Sequence, residues 1–80
     1  MKKISRDVSG KELIKKLKLL DYIETRQVGS HVRITTEKLG KHSLTIPLHN
    51  PIKIGTLSNI LNDVANHFKM SKEEIVDLLF

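Results

Sequence analysis

The sequence predicts an α+β fold, and three observations carry that prediction. A helix-start signal at Ser9 leads into amphipathic periodicity, the middle of the chain alternates polar and apolar residues in short segments divided by glycine turns, and a second amphipathic stretch begins at Thr56. Eighty residues suit one small domain over 1–80, because a chain of this size buries only roughly 60 to 65% of its unfolded surface and cannot support two cores. One sheet layer and one helix layer fill that space, with a core over residues 8–68 and a further helix at 71–79.

In S-G-K-E, the Ser9 hydroxyl is placed to accept from the Glu12 amide while the Glu12 carboxylate reaches back to the Ser9 amide, which starts a helix. At about 100° per residue, Leu13, Ile14, Leu17 and Leu20 share a face and Lys11, Lys15 and Lys18 form a ridge nearly opposite. YIETRQ, HVRITTE and HSLTIPLH then read as three strands, joined through Val28-Gly29-Ser30 and Lys38-Leu39-Gly40-Lys41 as antiparallel hairpins. Val32 and Ile34, and in the third strand Leu44, Ile46 and Leu48, mark the apolar face; the same alternation puts His31, Arg33, Thr45 and His49 on the open side or its rim. Pro47 lacks an amide donor and belongs on an edge strand. HNPIKIG (49–55) reads as a loop and Thr56 as the cap of a second helix, whose stripe is Leu57, Ile60, Leu61, Val64, Ala65 and Phe68. A second S-x-x-E signal at Ser71 starts a short third helix with Ile75, Val76, Leu78, Leu79 and Phe80 as its apolar residues. The order helix, three antiparallel strands, helix resembles the double-stranded-RNA-binding-domain fold, with an added C-terminal helix.

Composition narrows the function classes. Hydrophobic residues at 39% and charged residues at 29% fit a folded domain, whose core must be aliphatic because Tyr22, Phe68 and Phe80 are the chain's only aromatic residues. Without cysteine there is neither a disulfide framework nor a thiolate metal site. No apolar run approaches the ~18 residues of a membrane span, and the basic N-terminus is not followed by a signal-type core, so the expectation is a cytoplasmic protein with no membrane partner. Residues 1–20 carry seven Lys/Arg against two acids, whereas residues 55–80 carry two against four. A basic front end suits a polyanion such as RNA and equally suits simple solvation.

The candidate chemistry gathers around the histidines. His31 follows a Gly29-Ser30 turn, in which Gly29 supplies a positive φ and Ser30 is placed to hydrogen-bond the turn or steer the ring. Imidazole ordinarily titrates near 6.5, so His31 can act as acid or base at working pH, worth roughly 10²- to 10⁴-fold. His49 shares its phase and is a candidate complementary acid or phosphate contact. Arg33 and Lys53 are candidate phosphate contacts, the amides at Gly55 and Thr56 a candidate anion site, and the ridge of Lys11, Lys15 and Lys18 a candidate backbone-binding surface. His42 and His67 read as structural or solvent-facing. No H-x-x-H, H-E-x-x-H, P-loop or G-x-G-x-x-G pattern occurs, so neither a metal nor another cofactor is expected.

Five elements then appear in one order: V-S-G-K-E-L-I-K-K-L from Val8 to Leu17, Tyr22 four residues before Arg26, G-S-H at 29–31, I-P-L-H at 46–49, and G-T-L-S-N-I-L from Gly55 to Leu61. In these the sequence resembles the HicA toxins of bacterial and archaeal toxin-antitoxin systems, small mRNA interferases neutralised by HicB antitoxins, over roughly residues 8 to 62. The resemblance implies the double-stranded-RNA-binding-like fold, ribonuclease activity on mRNA, the G-S-H histidine, His31, as the catalytic residue, and a HicB-type antitoxin as partner, with homo- or hetero-oligomers open. The lack of metal-ligand motifs makes metal-independent cleavage the expectation. Two departures stand out. Val32 and Arg33 follow G-S-H where family members often carry a second histidine or an aromatic, and Met70 to Phe80 extends past the point where many members end. A non-catalytic RNA-binding module of the same fold, or a protein-interaction domain, is the alternative.

Overall fold

The computed structural model describes residues 7–80. Its elements are α1 (Gly10–Leu17, continued by a 3₁₀ turn at Lys18–Leu20), β1 (Ile23–Val28), β2 (His31–Thr36), β3 (His42–Pro47), α2 (Ile54–Phe68) and α3 (Lys72–Leu79). This is the expected α+β order of a helix, three antiparallel strands and a helix, with an extra C-terminal helix.

α1 starts where the sequence places it. The Ser9 Oγ accepts from the Glu12 amide at 3.1 Å, and Leu13, Ile14, Leu17 and Leu20 are all buried while Lys11, Lys15 and Lys18 are exposed. The chain turns out of the helix through Asp21 in the left-handed region (φ 64°), a conformation that a short polar residue tolerates better than most. Tyr22 follows as a core residue, 1% exposed, just ahead of β1.

The sheet has the order β1-β2-β3, so Pro47 does lie on an edge strand. Gly29 (φ 59°) makes the two-residue turn between Val28 and His31, where the positive φ of a primed hairpin turn is needed. From this turn the register runs Val28↔His31, Gln27↔Val32, Arg26↔Arg33, then shifts between Arg26 and Glu24 at an irregularity. β2 and β3 pair without interruption from His31↔Pro47 to Thr36↔His42. Val32, Ile34, Leu44 and Ile46 are buried against the helices, leaving His31, Arg33 and Thr45 on the open face. β1 departs from the alternation of its neighbours, since all six of its residues are exposed and Ile23 and Val28 remain more than 60% accessible.

α2 begins two residues before the predicted cap. Lys53 occupies the cap position without a side-chain hydrogen bond, its carbonyl accepts from the Leu57 amide at 2.9 Å, and Thr56 lies within the first turn. A tertiary anchor explains the earlier start. Ile52 is buried and its amide donates to the Val8 carbonyl at 2.8 Å, so the chain's entry direction is fixed before Thr56 is reached. The predicted α2 stripe is buried in full. α3 carries both halves of the capping box, with the Glu74 amide donating to Ser71 Oγ at 3.0 Å and the Ser71 amide to Glu74 Oε1 at 2.9 Å. Ile75, Val76 and Leu79 join the common core and Phe80 packs against it, whereas Leu78 is 46% exposed and is not a core residue. Three such side chains contribute roughly 1.5 to 3 kcal/mol each, which allows an eight-residue helix to persist by docking on α2.

One close approach sets the geometry at the β3 end. A Cβ on Gly10 would lie 2.1 Å from the Pro47 carbonyl oxygen and 2.9 Å from Leu48 Cα. Glycine alone lets α1 start against this backbone, where the Gly10 amide donates to the His49 carbonyl at 2.9 Å. The Leu48 amide in turn donates to the Ser30 carbonyl at 2.7 Å.

Candidate functional site

His31 opens β2 directly after the turn and is exposed on the uncovered face. With Arg26, Val28, Arg33 and Thr45 it lines a shallow recess of about 190 Å³ that has no acidic lining residue. His49 stands beside it: the two imidazole centroids are 6.5 Å apart and the rings are inclined at 67°. That proximity follows from the contacts at the β3 end, because the Ser30 and Gly10 hydrogen bonds pin the backbone on both sides of the segment that carries His49. Among the described residues, no hydrogen bond to either ring is made by another side chain or by the backbone.

The recess unites His31, Arg33 and Thr45 as alternation predicted and adds Arg26, which the motif reading noted without giving it a site role. Its signal was available, since counting outward from a two-residue turn pairs Arg26 with Arg33. Two cations directly opposed across an antiparallel pair are unfavourable to folding, so an anion between them would relieve a built-in repulsion. Gly29 has the expected role. Ser30 acts through its carbonyl rather than its hydroxyl, and the turn is braced by Gln27 Nε2 donating to the Gly29 carbonyl at 3.1 Å.

The lysine ridge lies elsewhere. Lys11, Lys15 and Lys18 border a groove of about 620 Å³ with Glu24, Gln27, Val32 and Leu48, on the helix side of the sheet. The sheet therefore separates the ridge from His31. Lys53 and Thr56 are exposed at the start of α2 and line neither the recess nor the groove.

A second histidine cluster occupies the opposite end of β3. His42 is in phase with Leu44 and Ile46, which turns it toward the helices. Its Nδ1 is 2.6 Å from the Tyr22 hydroxyl and its Nε2 is 3.2 Å from Asp63 Oδ1. A ring protonated on Nε2 satisfies both contacts, accepting from the tyrosine and donating to the carboxylate. His67 stacks on His42 with centroids 4.5 Å apart and planes within 10°, while its Nε2 donates to the Lys38 carbonyl at 2.9 Å. Burial, with the negative charge of Asp63 adding to it, pushes the Tyr22 hydroxyl well above the usual tyrosine range and keeps it a donor. Among the described residues, no group of three or more His, Asp or Glu side chains is arranged to hold a metal ion.

Comparison with known families decides the membership. The family model described as the HicA toxin of bacterial toxin-antitoxin systems matches residues 10–65. The chain belongs to the HicA toxin family. The match runs from α1 through most of α2, so it includes His31, His49 and both flanking turns and stops short of α3. Neither a search of curated proteins nor one of solved structures finds a match. As a HicA toxin, the chain is the toxin of a toxin-antitoxin system and has an antitoxin as its partner. No helix among the described residues is long and apolar enough to cross a membrane.

Proposed function

We propose that this HicA toxin is an mRNA-cleaving ribonuclease that works without a metal in the cytoplasm, uses His31 as its catalytic residue and is neutralised by a HicB-type antitoxin. The observation that carries the proposal is the setting of His31: an exposed imidazole, hydrogen-bonded to no described residue, at the mouth of a recess flanked by Arg26 and Arg33. Cleavage of a phosphodiester needs proton transfer and positive charge where the phosphorane-like transition state develops. Imidazole supplies the first and the paired guanidiniums the second, and each guanidinium can also hold a phosphate bidentately.

RNA then lies on the open sheet face with a phosphate in the recess. Lys11, Lys15 and Lys18, on the far side of the sheet, act only on strand that continues around the β1 edge, and Lys53 and Thr56 stand at a second periphery. The antitoxin that blocks this activity covers the open face, competing with RNA for the same cations. The active unit is residues 8–68, with α3 bracing α2.

The test is a His31→Ala protein whose melting temperature matches the parent. The expected result is loss of roughly 10²- to 10⁴-fold in RNA cleavage in excess chelator, with loss of growth arrest. Cleavage at the parental rate would overturn the assignment. Intact RNA with the parent protein, together with salt-dependent RNA binding, would instead identify a non-catalytic RNA-binding module.

A further inference from the structure

His31 has a neighbour suited to share its chemistry. We infer that His49 is the second proton-transfer residue of the site, so that His31 and His49 act as a complementary acid-base pair on one phosphodiester. The inference rests on the ribonuclease reading and extends it to a residue and a reaction course.

Three observations support the pair. The ring centroids lie 6.5 Å apart with the planes inclined at 67°, which sets His49 beside His31 at the rim of the recess although it is not one of the lining residues; a general acid and a general base that act on one phosphodiester need to be neighbours of this kind. Neither imidazole is engaged by a described hydrogen-bond partner, in contrast to His42 and His67, whose ring nitrogens are held by Tyr22, Asp63 and the Lys38 carbonyl. The backbone carrying His49 is also fixed with unusual care for a segment beyond a strand end. The Leu48 amide reaches the hairpin turn that presents His31, and the His49 carbonyl receives the first amide of α1 at a contact only glycine permits. Two histidines that start on different elements are thereby held to one spacing.

The reaction balances with these groups alone. One neutral imidazole accepts the 2′-hydroxyl proton as the 2′-oxygen bonds to phosphorus. The bond from phosphorus to the 5′-oxygen breaks, its electron pair stays on that oxygen, and the other imidazole, protonated, gives it a proton. The products are a 2′,3′-cyclic phosphate and a free 5′-hydroxyl, and the two rings finish with their protonation states exchanged. Arg26 and Arg33 bind the non-bridging oxygens.

The experiment compares the parent, His31→Ala and His49→Ala on a single-site RNA oligonucleotide, with melting temperatures measured alongside. A second substrate has sulfur in place of the bridging 5′-oxygen and so needs no acid to leave. The parent should give a bell-shaped dependence of kcat/KM on pH and cyclic-phosphate ends. His49→Ala should fold normally, lose roughly 10²-fold or more, and retain one limb of the bell. The sulfur substrate should restore one of the two single variants and not the other. A His49→Ala protein with the parental rate and both limbs, or sulfur rescue of neither variant, overturns the pair while leaving His31 catalytic. Parental cleavage by His31→Ala overturns the ribonuclease reading itself, so the two failures are separable. If His49→Ala melts at a lower temperature, His49→Gln, which retains a polar side chain, is read for the same lost limb, and a complete bell in that variant also overturns the pair.

Discussion

The protein holds two pairs of histidines at opposite ends of β3, and they are built in opposite ways. His31 and His49 are exposed on the open face, set edge to face, and hydrogen-bonded to no described residue. His42 and His67 are half-buried on the helix side, stacked in parallel, and engaged at three of their ring nitrogens by Tyr22, Asp63 and the Lys38 carbonyl. The same side chain is thus left without a described hydrogen-bond partner at one end of β3 and acts as a bracket at the other, where Tyr22, Asp63 and the Lys38 carbonyl occupy its nitrogens. Sheet phase makes that choice. His42 alternates with the apolar residues of β3, whereas His31 alternates against those of β2.

Removing one histidine from each pair tests the contrast most strongly. His31→Ala should abolish most cleavage, by roughly 10²- to 10⁴-fold, with little change in melting temperature. His42→Ala should do the reverse. It strips the buried Tyr22 hydroxyl of its partner and opens space beneath His67, so stability should fall by about 1 to 3 kcal/mol in urea titration while cleavage by the folded fraction stays near the parental rate. Equal losses of activity in the two variants would erase the distinction.

Gly10→Ala probes the connection between α1 and the open pair. The added methyl cannot coexist with the Pro47 carbonyl, so α1 or the 47–49 segment must move, and overpacking of this kind costs about 1 to 3 kcal/mol. Because the displaced backbone carries His49, cleavage should fall further than in a His42→Ala protein of matched stability. Parental cleavage after correction for unfolded protein would show that His49 needs no such placement.

The sequence made the elements legible because their signals are local. The Ser9 and Ser71 caps, the α2 stripe and the Gly29 turn each depend on spacing within a few residues, and each is found where it was expected. Thr56 misled because the start of α2 is fixed by the Ile52 amide on the Val8 carbonyl, a contact between residues 44 apart in the chain that no local pattern encodes. The open face was legible for the same reason as the elements: alternation put His31, Arg33 and Thr45 on one side, and the turn fixed the register that adds Arg26. Alternation alone could not place the lysine ridge, since it says nothing about which side of the sheet the outer face of α1 borders. Nor could composition reveal the bracket, because Tyr22, His42, Asp63 and His67 come from the segment before β1, the head of β3 and the middle and end of α2.

The smallest expected effect isolates the proton that the bracket holds. Tyr22 is 1% exposed and donates into His42, and its ionisation would place a charge in a dry site near Asp63, which is why folding raises its pKa above the ordinary value of 10.0. Below pH 10 both folded and unfolded chains keep this proton, and its contribution to stability is complete. As pH rises past that point the unfolded chain releases the proton while the folded chain retains it, so stability declines by up to about 1.4 kcal/mol per pH unit until the folded hydroxyl ionises as well. Tyr22→Phe removes this dependence together with one hydrogen bond. The variant should be less stable by about 1 kcal/mol at pH 8 and should lose stability less steeply above pH 10, so the two curves converge in urea titrations at pH 8, 10 and 11. Lysine titration affects both proteins alike and cancels in the difference. Parallel curves would mean that Tyr22 ionises as easily in the folded chain as in the unfolded one, and His42 would then lose the donor that distinguishes its pair from the open one.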